Sequence, residues 1–138
     1  MKTETKLVHF SEGIELESGE KLNSFDLMLE TYGELNEDKS NAILLCHAFS
    51  GNHHAAGSSE DFGTGWWDQL VGPGKSIDTN KYFIVCCNNL GGCAGSSGPS
   101  SINPSSQKIF GKSFPQVSVL DWVNSQKMLM DKLNIEYW

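Results

Sequence analysis

At 138 residues, with 38% hydrophobic and 20% charged, the chain has the size and composition of one soluble globular domain. A net charge of −7, with no stripe of clustered Lys and Arg, excludes a nucleic-acid binder, which must displace counterions from phosphate. The N-terminus, Met1-Lys2-Thr3-Glu4-Thr5-Lys6, leads into no long apolar run, so neither a signal peptide nor a membrane-spanning helix is expected and the expected compartment is the cytoplasm.

Residues 24–32, Ser-Phe-Asp-Leu-Met-Leu-Glu-Thr-Tyr, alternate imperfectly between apolar and polar, which predicts a strand with one solvated face. Gly33 and the polar run to Ser40 make a turn. Residues 41–49 then form an almost unbroken apolar run, too short for a free-standing helix and suited to a strand covered on both faces; residues 82–87 form a second. A long crossover separates the two runs, so they are expected to be parallel neighbours in one sheet with helices on both sides. Between them come a Gly, His and Ser-rich stretch, a short helix expected around Trp66 to Val71, and a turn at Gly72-Pro73-Gly74. Asn88 to Pro115 show no periodicity, and structureless segments of that length in a compact domain are usually functional. From Ser118 a helical period returns, placing Val119, Trp122, Val123, Leu129, Met130 and Leu133 on one apolar face. Ile135 to Trp138 read as the approach to a further parallel strand.

Several residues invite a chemical reading. The strand expected at 41–49 ends in His47-Ala48-Phe49-Ser50-Gly51. In α/β-hydrolases the loop after the third strand gives one backbone N–H to the oxyanion hole, often from an HG-type sequence; an ordinary turn would read the same way. His47 fits a structural hydrogen-bonding role better than a general base, because the catalytic His of that fold comes last in chain order. His53 and His54 are adjacent, so their side chains diverge, and no acidic or Cys partner stands at ligand spacing; no metal is expected. Ala94-Gly95-Ser96-Ser97-Gly98 imitates a nucleophile elbow, but Pro99 and Pro104 follow where the helix should start, so Ser96 is rejected as a nucleophile. The four cysteines, Cys46, Cys86, Cys87 and Cys93, form no CxxC pair and are expected to be reduced packing residues.

Together these segments resemble homoserine O-acetyltransferase, the methionine-pathway family of the α/β-hydrolase superfamily. The resemblance is carried by Thr31-Tyr32-Gly33-Glu34-Leu35-Asn36, by His47 to His54, by Gly65-Trp66-Trp67-Asp68, by Val71-Gly72-Pro73-Gly74-Lys75, and above all by the irregular stretch Asn89 to Pro104. Phe49 and Ser50 stand where the family commonly has Leu and Thr, and Ser97 where it has Thr. The resemblance implies an α/β-hydrolase fold that is incomplete, with residues 1–138 as the N-terminal part of a single domain ending before the turn that carries the nucleophile. It implies transfer of an acetyl group from acetyl-CoA to the hydroxyl of L-homoserine through a Ser acyl-enzyme. The family's Ser, Asp and His have no matching position here, so the chain alone is expected to be inactive. On this reading Phe49 offers its backbone N–H to the oxyanion, and Ala48, Ser50 and Gly51 bind substrate. No metal or cofactor is implied beyond acetyl-CoA as co-substrate. The implied partners are the two small molecules, without nucleic acid or membrane, and a homodimer is open for the complete enzyme. The alternatives are a succinyl donor or a serine acceptor on the same scaffold, or an inactive fragment.

Overall fold

The computed structural model describes residues 1–138 and has at its centre a four-stranded sheet. Its strands are β1 (Thr3–Phe10), β2 (Phe25–Tyr32), β3 (Ala42–Leu45) and β4 (Phe83–Cys87), in spatial order β1-β2-β4-β3. β2 pairs antiparallel with β1 and with β4, while β4 and β3 are parallel, from Phe83 opposite Ala42 to Cys86 opposite Leu45. The expected parallel neighbours are therefore present. β3 is shorter than the 41–49 run, because the chain leaves the ladder after Leu45. No sequence signal had pointed to β1, which adds an eight-residue partner along the whole of β2.

Side chains alternate across the sheet with period two, and each face has its own core. On one face Phe10, Phe25, Leu27, Leu29, Val85 and Cys87 pack against Leu129 of α1 (Val119–Lys132), with the Phe10 and Phe25 rings stacked at 4.6 Å. On the other, Tyr32, Leu45, Ile84 and Cys86 pack against Ala55, Ala56 and Val71. No helix covers this second face, contrary to the expectation of helices on both sides. The helix expected at Trp66 to Val71 is a turn: the Trp66 and Trp67 amides donate to the His54 and Ala55 carbonyls, and Asp68 accepts from Gly57 N–H. The segment is thus bonded to the loop beside it, and Gly72 and Pro73 stop any continuation.

β2 has no solvated face. Its Glu30 is buried, and one carboxylate oxygen accepts from the Tyr32 hydroxyl at 2.8 Å and faces His54 Nδ1 at 2.8 Å. Tyr32 Oη in turn accepts the Ala55 and Ala56 amides at 2.7 and 3.0 Å. Burial pushes the Tyr32 phenol far above its usual range, which keeps it a neutral donor to Glu30. The imperfect alternation of this strand thus reflects a buried polar network.

α1 begins with a capping box, in which Ser118 Oγ accepts from Asp121 N–H and the Asp121 carboxylate accepts from Ser118 N–H. The same carboxylate accepts from Glu17 N–H, tying the helix start to the turn between the paired segments Ile14–Glu15 and Lys21–Leu22. Its buried residues are Asp121, Ser125, Leu129 and Met130, whereas Val119 and Val123, expected inside, are exposed. Fixing Asp121 inward rotates those valines away from the sheet. No helix in the structure is long and apolar enough to cross a membrane.

Replacing Tyr32 with Phe should destabilise the chain by about 2–6 kcal/mol, because two buried amides lose their acceptor and each such orphan costs about 1–3 kcal/mol. Urea titration checks this; a change under about 0.5 kcal/mol, the usual range for an inconsequential surface change, would show that the network carries no weight.

Candidate functional site

Parallel neighbours in register send their following loops out of the same sheet edge, which is where open α/β sheets place ligands. The loop after β3 and the loop after β4 meet there around a cavity of about 420 Å³. Phe49, Ser50 and Gly51 line it from the first loop and Asn88 to Cys93 from the second, with Phe114, Val117 and Trp122 closing one side. Ala48, the fourth residue expected at a substrate site, faces instead a neighbouring cavity of about 360 Å³ together with Asn52, His54, Phe62 and Trp66. Ser50 and Gly51 border both cavities.

His47 joins the two loops. Its Nε2 accepts the Asn89 amide at 3.2 Å, so the ring proton is on Nδ1, which donates to the Ala48 carbonyl at 2.7 Å. The Gly51 amide donates to the same carbonyl at 2.7 Å and closes a tight turn over residues 48–51. Phe49 N–H has no hydrogen-bond acceptor in the fold, and the residue is 89% exposed, its ring tilted toward Trp122 at 6.1 Å. A polar amide left open at a cavity rim is free to meet a ligand oxygen.

The long irregular segment is bonded to the sheet. Ser96 Oγ accepts from Met28 N–H and donates to the Asn88 carbonyl, while Ser97 Oγ accepts from Asp26 N–H and its own amide donates to the Asp26 carbonyl. These two hydroxyls continue the bonding pattern of β4 along β2 after β4 has ended. Ser96 is buried and fully engaged, with no helix behind it, which is the opposite of an exposed nucleophile on an elbow. A Cβ on Gly98 would stand 2.5 Å from the Gly92 carbonyl oxygen, so only glycine lets the segment fold back on itself there. From α1, Trp122 Nε1 donates to the Leu90 carbonyl at 2.8 Å and Gln126 Nε2 to Asn89 Oδ1 at 3.3 Å. Sequence reasoning missed Asn89 and Gln126, whose signal was only that two polar residues stand in a loop and on a helix.

His53 and His54 do not diverge as expected: both rings lie beside Phe62, with centroids 5.3 and 6.0 Å away, and the fold brings Glu30 to His54, a partnership 24 residues apart in the chain. His54 Nε2 faces the Gly63 carbonyl at 3.1 Å, so both its nitrogens are occupied by protein. Burial lowers the His53 pKa and keeps its ring neutral, with Nδ1 buried and unpartnered. No group of three or more His, Cys, Asp or Glu residues converges in a way that could hold a metal ion.

The strand order, the parallel pair and the loops that follow it define an α/β-hydrolase fold. A crystallised esterase superposes with a TM-score of 0.86 at 36% identity, over 97% of this chain and 38% of its own. The homoserine O-acetyltransferase of Bacillus anthracis superposes with a TM-score of 0.87 at 36% identity, over 98% of this chain and 38% of its own. Within that class the chain is similar to homoserine O-acyltransferases: it is 62% identical over 135 residues to the homoserine O-succinyltransferase of Hahella chejuensis and 58% identical over 133 residues to that of Pseudomonas aeruginosa. It spans about a third of those relatives' length, 35% in both cases, and they cover 96% and 95% of it. No protein-family profile matches the chain.

All four thiols are free, but they are not alike. Cys86 and Cys87 are packed in the core as expected; Cys46, just past β3, and Cys93, at the cavity wall, are exposed, because the chain has left the sheet at both positions. Burial pushes the Cys87 thiol up to about 12 and raises that of Cys86 as well. At pH 8 a thiol-specific reagent should therefore titrate two groups in the native chain, Cys46 and Cys93, and all four in denaturant. The linkage sign follows from the raised values: the buried thiols' contribution is complete below about pH 8.5, where an unfolded thiol titrates, and stability falls as pH rises above it. Rapid native modification of all four groups, or stability rising from pH 9 to 11, would contradict the burial.

Proposed function

We propose that this chain forms the oxyanion-loop side of a homoserine O-acyltransferase, in which an acyl group passes from a CoA thioester to a Ser and then to the hydroxyl of L-homoserine. The observation that carries the reading is the Phe49 amide: it follows the strand β3, stands at the cavity rim, and has no partner within the fold. A tetrahedral intermediate develops negative charge on the former carbonyl oxygen, and a preorganised N–H in a site shielded from water stabilises that charge without reorganisation. Ser50 and Gly51 form the adjoining wall for substrate, and Ala48 presents its surface to the second cavity. No Ser of this chain is placed as a nucleophile, so the 138 residues alone transfer nothing. The setting we propose is the cytoplasm, where CoA thioesters and reduced thiols are at hand.

For the donor we favour succinyl-CoA, because relatives at 58% and 62% identity bear the succinyltransferase name. Acetyl-CoA, which the sequence had led us to expect, is the second reading, supported by the likeness to the Bacillus anthracis acetyltransferase at 36% identity.

A chimera joining this chain to the remaining two thirds of the Hahella chejuensis relative tests the proposal. Offered succinyl-CoA and L-homoserine, it should release CoA and form O-succinylhomoserine, with acetyl-CoA the poorer donor. Replacing Phe49 with Pro removes the N–H and should lower kcat by about 10²–10³-fold, the loss typical of one oxyanion donor. An unchanged kcat would remove Phe49 from the oxyanion hole, and a folded chimera inactive with both donors would sink the acyl-transfer reading.

A further inference from the structure

The Ala48–Phe49 peptide is held from its carbonyl side by two donors, His47 Nδ1–H and Gly51 N–H, each at 2.7 Å. In a trans peptide the C=O and N–H of one unit point in opposite directions, and the chain contains no cis peptide. Fixing the Ala48 carbonyl therefore fixes the direction of the Phe49 N–H. The Gly51 bond is local to the turn and stays with the turn if it tilts. The His47 bond is anchored elsewhere, because the opposite ring nitrogen accepts the Asn89 amide from the loop after β4. That contact also selects the tautomer: with the Asn89 N–H aimed at Nε2, the only neutral ring that fits carries its proton on Nδ1, where the Ala48 carbonyl needs it. Asn89 is held in turn by Gln126 of α1, whose amide donates to its side-chain oxygen.

We infer that His47 is a positioning residue: its imidazole, locked by Asn89 with Nδ1 protonated, clamps the Ala48–Phe49 peptide so that the Phe49 N–H is presented outward at the cavity rim. The inference rests on the acyl-transfer reading above, in which that N–H stabilises the oxyanion. It gives α1 and the β4 loop a share in catalysis although neither supplies the donor. His47 takes and gives no proton in the reaction; both its nitrogens are occupied by backbone groups throughout.

The chimera described above, assayed with p-nitrophenyl acetate and with succinyl-CoA plus L-homoserine, separates this role from a merely structural one. The activated ester requires a nucleophile and an oxyanion hole but no homoserine site. His47→Phe should lower kcat for both reactions by about 10²-fold, the penalty typical of a reacting geometry misplaced by about 1 Å. KM for homoserine should stay within a few-fold and the melting temperature should be little changed. His47→Asn, whose Nδ2 can stand where Nδ1 does, should recover most of the lost kcat, whereas His47→Gln, whose polar end stands near Nε2, should not. Loss of KM rather than kcat, or equal behaviour of the Asn and Gln variants, would overturn the clamp while leaving the acyl-transfer reading intact. An unsubstituted chimera inactive toward both substrates would instead count against acyl transfer itself. The tautomer is testable apart from activity: ¹⁵N spectra of the histidines in the 138-residue chain should show His47 neutral with its proton on Nδ1. A proton on Nε2 would refute the clamp whatever the kinetics.

Discussion

The structure depends first on the in-register parallel pairing of β3 with β4, Ala42 to Leu45 against Phe83 to Cys86. Parallel pairing obliges the chain to cross over between the two strands and to leave both at the same end. Everything of functional interest follows from that shared exit. A slip of one residue would turn Ile84 and Cys86 to the α1 side and Val85 to the other, mixing two cores that the present register keeps apart. It would also separate His47 from Asn89, the contact through which the two exit loops recognise each other.

Around that pair, the fold uses side chains where regular elements would be expected. The face opposite α1 is closed by a loop segment whose amides are accepted by a tyrosine hydroxyl, itself bonded to a buried carboxylate. The segment after β4 is bonded by two serine hydroxyls to the free side of β2. In both places a side-chain oxygen takes the role of a backbone carbonyl, which satisfies buried amides where strand geometry is no longer available.

What the sequence discloses and what it conceals divide along the same line. Apolar runs such as 82–87 announce a buried strand because burial on two faces leaves no room for polar residues, and the capped helix after Ser118 announces itself by its period. β1 carried no such signal: its residues Thr3 to Val8 are largely exposed at the edge of the sheet, so composition hardly distinguishes them from a polar tail. Glu30 misled the reading of β2, since a charge in a strand normally marks a wet face and only the fold reveals that Tyr32 and His54 wait for it. The helix face was misjudged for the converse reason. Asp121, a charged residue of a type seldom found inside, is drawn inward by the Ser118 and Glu17 amides, and that turns Val119 outward. At the site, His47-Ala48-Phe49 could be found from its place after a strand, but Asn89 and Gln126 could not, because nothing in a linear text says which amide faces which ring nitrogen.

The serine stitching of residues 96 and 97 has a bearing on how glycine-rich segments are understood. Between Gly91 and Gly98 the composition suggests a flexible linker, yet Ser96 and Ser97 are buried and bonded to β2 as though they were one more rung of the sheet, and Gly91 N–H bonds back to the Ser97 carbonyl. Its glycines serve close approach rather than freedom of movement. Such a segment acts as a cast wall: its shape is set when the strands pair, before any ligand arrives, so the entropy of ordering it belongs to folding and is not charged against binding.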